Sequence, residues 1–179
     1  MKSITFRGTF ALFAEKQISQ APKVALLLLA LALPALAQKP TITLTPFTSA
    51  FVPAADACGF DVLVTPQTGR PNKERLIQFN NTAIIAGPLF VTLKNLSTGK
   101  TIDVNISGPS KISFSGTTTT FVATGASIQP LPANILTAAG LPPLPLIHGQ
   151  IVFTFDDQGN VISVQSVTGS VQDVCQLLQ

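Results

Sequence analysis

Tryptophan and tyrosine are absent from the 179-residue chain, and phenylalanine, with 12 copies, is its only aromatic. Carbohydrate platforms commonly use broad rings with a polar edge, so the absence argues against a sugar-binding surface. Histidine occurs once, as His148, and cysteine twice, as Cys58 and Cys175. A single imidazole excludes a multi-histidine metal centre, and two cysteines that pair cannot complete a zinc site, so neither metal nor cofactor is expected. Charge is scarce too: Asp, Glu, Lys and Arg make up 11% of the chain. Solubility then rests on Thr, Ser, Asn and Gln, a balance suited to an extracellular β protein.

The little charge present is unevenly placed. Lys2, Arg7, Lys16 and Lys23, against Glu15 alone, precede the fourteen-residue run VALLLLALALPALA at 24–37. Basic then apolar, closed by Ala35-Leu36-Ala37, is the order of a secretory signal, with cleavage predicted before Gln38. The run falls short of the roughly 20 residues of a membrane span, so no transmembrane anchor is expected after cleavage. The leader takes four of eleven basic residues and one of eight acids, which leaves seven of each in 38–179. The whole-chain charge of +3 thus belongs to the leader. A neutral mature chain, whose only basic cluster is Arg70, Lys73 and Arg75 with Glu74 among them, is not a nucleic-acid binder. That cluster reads as a solvated loop.

Residues 38–179 suit one domain, read as an N-terminal extended segment at 38–56 followed by a single β domain at 57–179. An even cysteine count in a secreted chain favours a disulfide between Cys58 and Cys175. The rival reading, a reactive thiol, lacks an adjacent histidine or a Cys-x-x-Cys partner.

From Ala57 onward, short segments rich in Val, Ile, Thr and Phe alternate with Gly, Pro, Asn and Asp. Leu89, Val91 and Leu93, a turn at 97–100, then Ile102, Val104 and Ile106 predict a hairpin with one wet face. Ile151, Phe153 and Phe155, a turn at 156–160 and a return over 161–167 predict a second. Further strands are expected at 60–65, 75–79, 111–115 and 119–124. The fold class is therefore all-β, an antiparallel barrel or sandwich of about seven to eight strands, and the sequence does not choose between the two. Phe79, Phe90, Phe114, Phe121, Phe153 and Phe155 are expected in the core.

Three stretches depart from this pattern. Val171, Val174, Cys175 and Leu178 fall at helical spacing after Ser170, which predicts a short C-terminal helix over 170–178; a last edge strand is the alternative. Residues 129–147, QPLPANILTAAGLPPLPLI, hold five prolines and no charge, so a central strand is excluded. The stretch either covers core or forms the lip of an apolar pocket, with a helical turn at 134–139 ended by Gly140. The threonine-rich, proline-interrupted 38–56 is an edge strand or an extended arm.

Catalytic candidates are few. His148 has no nucleophile-elbow serine to serve, and reads as a surface or strand-entry residue. Asp156 and Asp157 are explained by their turn. Asp61, within Phe60-Asp61-Val62, is either a buried acid or a solubilising one. Asp61 and His148 are thus the weak candidates, and no catalytic residue is assigned. Asn80, Asn95 and Asn105 begin N-glycosylation sequons, each of which needs exposure to be used.

Ala57-Cys58-Gly59-Phe60-Asp61-Val62, Leu93-Lys94-Asn95-Leu96-Ser97-Thr98-Gly99-Lys100, Asn105-Ile106-Ser107-Gly108-Pro109 and Val152-Phe153-Thr154-Phe155-Asp156 resemble segments of small uncharacterised secreted proteins of filamentous fungi and actinobacteria. The resemblance implies secretion and a β domain with paired terminal cysteines, and supplies no activity. The resulting expectation is a secreted, non-catalytic β protein that binds an apolar small molecule, a protein partner or a surface. The alternatives are a small barrel enzyme of isomerase or cyclase type built on Asp61 or His148, and a cell-wall-associated structural protein.

Overall fold

The computed structural model describes residues 39–70 and 72–179, all within one compact unit; the predicted leader at 1–37 lies outside the described residues. Among the described residues eleven strands form two antiparallel sheets. The larger runs in the order β1 (Thr41–Leu44), β4 (Arg75–Phe79), β5 (Thr82–Ala86), β8 (Ser110–Ser115), β9 (Thr118–Ile128), β10 (Pro145–Phe155) and β11 (Val161–Asp173). The smaller runs β2 (Ala50–Val52), β3 (Val62–Pro66), β6 (Phe90–Asn95) and β7 (Thr101–Asn105). No pairing among the described residues closes either sheet into a barrel, and the arrangement is sandwich-like. The N-terminal segment supplies an edge strand to each sheet, β1 to the larger and β2 to the smaller.

Both predicted hairpins form. In β6–β7, Val91 faces Val104 and Leu93 faces Ile102, while Thr101, Asp103 and Asn105 are exposed. Alternation thus sends one face of this pair inward, as a period of two requires. The turn of β10–β11 is held by Asp156, whose Oδ1 accepts from the amides of Gln158 (2.9 Å) and Asn160 (2.8 Å) and whose Oδ2 accepts from Asn160 Nδ2 (3.0 Å). On β10 and β11, the buried Thr154 hydroxyl meets Ser163 Oγ at 2.7 Å.

A line of glycines crosses the larger sheet. Gly149 on β10 lies opposite Gly125 on β9 and Gly169 on β11, and Gly108 packs on Thr124 and Gly125. A Cβ at Gly149 would lie 2.0 Å from the Thr168 oxygen, and one at Gly108 would lie 2.1 Å from the Thr124 oxygen. The neighbouring backbones therefore approach more closely here than any side chain allows.

Two hydrophobic clusters result. One joins Val62, Val64, Val91 and Leu93 of the smaller sheet to Leu144, Leu146, Val174, Cys175 and Leu178. The other sets Ala123, Ile147, Ile151 and Phe153 of the larger sheet against Leu131 and Leu136. Leu136 belongs to α1 (Ala133–Ala138), the helical turn expected before Gly140, which has φ +66. The proline-rich stretch therefore covers core through Leu131, Leu136, Leu144, Leu146 and Ile147, which are all buried.

Several expectations are corrected. Residues 145–147 open β10, which lies between β9 and β11; Pro145 is tolerated as the first residue of the strand. The terminal helix α2 spans only Val174–Leu178, because β11 continues to Asp173. Asp173, not Ser170, caps it, accepting from the Cys175 amide at 2.9 Å. Phe79 and Phe114 are 45% and 49% exposed instead of core. Arg75 lies in β4 instead of a loop.

The disulfide between Cys58 and Cys175 forms, with Cα atoms 5.1 Å apart. It anchors α2 beside the 3-10 turn Ala54–Asp56 that leads into β3. Asn95 completes the same corner. It is 2% exposed, accepts from the Ser97 and Thr98 amides and donates Nδ2 to the Leu178 carbonyl at 3.1 Å.

Candidate functional site

The candidates read from the sequence are dispersed into structural roles. Asp61 stands immediately before β3, half-buried, and its Oδ1 accepts from the Ala54 amide at 2.8 Å, pinning the 3-10 turn. His148 is exposed on β10 between Ala126 and Ser170 of the flanking strands. Neither side chain lines a cleft considered below. Among the described residues no three His, Cys, Asp or Glu side chains gather as a metal would require.

The sequons differ in access. Asn80 and Asn105 are exposed. At Asn95 the Nδ2 that would bear the sugar is buried and donates to Leu178, so a glycan there is incompatible with this packing. The sequon at Asn95 therefore lacks the exposure that its use requires.

The residue missed by sequence reasoning is Glu74. It is half-buried and lines a cleft of about 130 Å³ where Leu89, Ile106, Ala123, Ser127 and Ile128 converge. Its neighbours Lys73 and Arg75 instead line a separate, more open cleft of about 360 Å³ with Ile77 and Pro88. The alternation of an entering strand separates the acid from both cations. That was the available signal: one acid between two bases directly ahead of the period-two run Arg75–Phe79. Burial alone pushes the Glu74 carboxyl above the ordinary glutamate value of 4.5.

Asp156 shifts the other way. The Asn160 side-chain amide first, and then the backbone amides of the turn, hold it below 3.8. The two groups have opposite linkage to stability. Asp156 contributes stability present above its unfolded value and lost as pH falls through its lowered folded value. Glu74 contributes stability present below 4.5 and lost as pH rises through its raised value. Glu74→Gln should therefore gain stability over the parent near neutral pH, with the difference vanishing in acid below that value. Urea denaturation at the two pH values checks this; a difference of equal size at both would show that the carboxyl is not the cause.

A second feature is apolar. Cross-strand partners share a face, so Ile42, Ile77, Ile84, Lys111, Val122 and Val152 form one row across six strands of the larger sheet. Five of the six are aliphatic. At the β1 end Ile42 and Leu44, two residues apart on that face, are 61% and 66% exposed, and Phe79 shares the face with Ile77.

The chain matches no protein-family model, no curated protein and no solved structure. No helix among the described residues is long and apolar enough to cross a membrane.

Proposed function

We propose that the protein is a secreted, non-catalytic β module that binds a partner protein with an aliphatic surface through the β1 end of its larger sheet. The observation that carries this is the exposure of Ile42, Leu44 and Phe79 on one face with Ile77 and Ile84. Contiguous exposed apolar surface marks interaction sites, and a sheet face presents it nearly flat. Pro40 and Pro46 flank the four-residue β1, which disfavours strand addition at its outer edge, so recognition is through side chains. Secretion is supported by the basic-then-apolar leader and by a disulfide, a bond that persists in oxidising compartments.

A second reading, self-association through the same face as in a cell-wall structural protein, is favoured by the neutral charge of 38–179, which removes repulsion between copies. The enzyme reading loses support because Asp61 is committed to the Ala54 amide and His148 is exposed.

The test is the double variant Ile42→Thr with Leu44→Thr, which keeps β propensity while removing aliphatic area. Affinity for a butyl-derivatised matrix should fall about tenfold, the equivalent of roughly 1.4 kcal/mol of lost burial. Unchanged retention would end the proposal. A concentration-dependent dimer in sedimentation velocity, abolished by the variant, would establish self-association instead.

A further inference from the structure

We propose that the cleft at Glu74 is a binding site for a small primary alkylammonium ion, with the carboxylate on the ammonium group and the aliphatic wall on the alkyl chain. This site is separate from the β1 face and does not rest on it.

Three observations lead there. First, the cleft is small. Its volume is about 130 Å³, and a cavity near 150 Å³ accommodates a molecule the size of benzene, so the part of an occupant held inside is about six heavy atoms. Second, its wall is divided by chemistry. Leu89, Ile106, Ala123 and Ile128 supply apolar surface, Ser110, Thr124, Ser127 and Gln129 supply hydroxyl and amide groups, and among the described residues Glu74 is the only ionisable side chain lining it. An anion would be repelled, and a neutral alkane would leave the carboxylate without a partner. An alkylammonium satisfies both parts of the wall. Third, no described residue lining the cleft supplies a cation to that carboxylate. Lys73 and Arg75 line the other cleft, and the remaining residues of the Glu74 cleft are uncharged. Burial is the sole influence on the Glu74 carboxyl and raises its affinity for a proton; an ammonium donor would supply the missing compensation.

The cleft lies beside the glycine line. Gly108 is among its lining residues, and a Cβ there would meet the Thr124 backbone. The Gly108 side of the cleft is thus set by backbone packing, which limits the ordering cost of binding there.

The experiment is a titration of the disulfide-bonded protein, followed by ¹H–¹⁵N NMR, with n-butylammonium chloride, 1-butanol and sodium butyrate at equal ionic strength. Saturable shifts at the amides of Ala123, Ser127 and Ile128 are expected with butylammonium, at an affinity about tenfold above that of butanol, the contribution of one charge-assisted hydrogen bond. Butyrate should give none. In Glu74→Gln the preference of butylammonium over butanol should disappear. Equal affinity for the ion and the alcohol in the unaltered protein overturns the proposal without recourse to a variant. Shifts that are confined to other residues, or a preference that survives in Glu74→Gln, overturn it as well.

Discussion

Gly169→Ala should destabilise the protein by about 3 kcal/mol or more, whereas Gly159→Ala should cost about 1 kcal/mol. The two glycines have nearly the same backbone, φ +93 and φ +83, so the penalty for a left-handed conformation is shared. They differ in surroundings. A Cβ at Gly159, in the exposed β10–β11 turn, meets nothing within 4 Å. A Cβ at Gly169 would lie 2.1 Å from the His148 oxygen and 2.9 Å from the Gly149 Cα. Those atoms are backbone of the paired strand, so relief requires β10 and β11 to separate where Gly149 already excludes any side chain. Domains of this size are stable by only about 5–15 kcal/mol, so the loss at Gly169 is a large share of the total. Urea midpoints give the comparison: a fall of roughly 1.5 M for Gly169→Ala follows from a slope of about 2 kcal/mol/M. Equal midpoints for the two variants would mean that the glycine line is not tightly packed.

Loss of the disulfide is the second large effect expected. Cys58 and Cys175 are 117 residues apart, so opening the bridge frees nearly the whole domain in the unfolded state. In the chain-entropy description this costs about 4–5 kcal/mol. For a chain of this size that corresponds to a fall in Tm of roughly 10–15 °C. The loss concentrates at one corner, where α2, the 3-10 turn and Asn95 meet. There Val174, Cys175 and Leu178 share one buried cluster with Val62 and Leu93, and Asn95 Nδ2 reaches the Leu178 carbonyl. Calorimetry of the Cys58→Ala, Cys175→Ala double variant and of the parent under dithiothreitol separates the cross-link from the small void left by the sulfur atoms. Similar drops in both assign the effect to the cross-link. A fall below about 5 °C in both would show that packing alone holds α2 in place.

How far each of these features could be read beforehand follows from its range along the chain. The β6–β7 register is legible because Val91, Leu93, Ile102 and Val104 alternate on either side of a short turn, and the pairing follows from loop length and period. The Asp156–Asn160 turn is legible for the same reason, since its hydrogen bonds span four residues at most. β5 was not, because Thr82–Ala86 holds apolar residues on both faces and shows no alternation. Its identity as a strand depends on β4 and β8 standing on either side. The candidate site was less legible still. Glu74 is near Leu89 and Ile128 only because three separated stretches fold together, and its flanking cations disguised it as part of a solvated cluster. The glycine line is similar: Gly108, Gly125, Gly149 and Gly169 look like separate turn residues until β9, β10 and β11 are paired.

By itself, the sequence determined the β class, the two long hairpins, the cysteine pair and the helical turn before Gly140, because turn chemistry and side-chain alternation act over a few residues. Only the tertiary structure decided which faces are covered. Alternation divides a strand into two faces but does not say which receives a second layer, and four strands with one proline-rich stretch cannot cover both sides of seven. Phe79, Ile42 and Leu44 therefore remain exposed while Leu131, Leu136, Leu144, Leu146 and Ile147 of the proline-rich stretch are buried, and the acid that lines a cleft is Glu74, not Asp61.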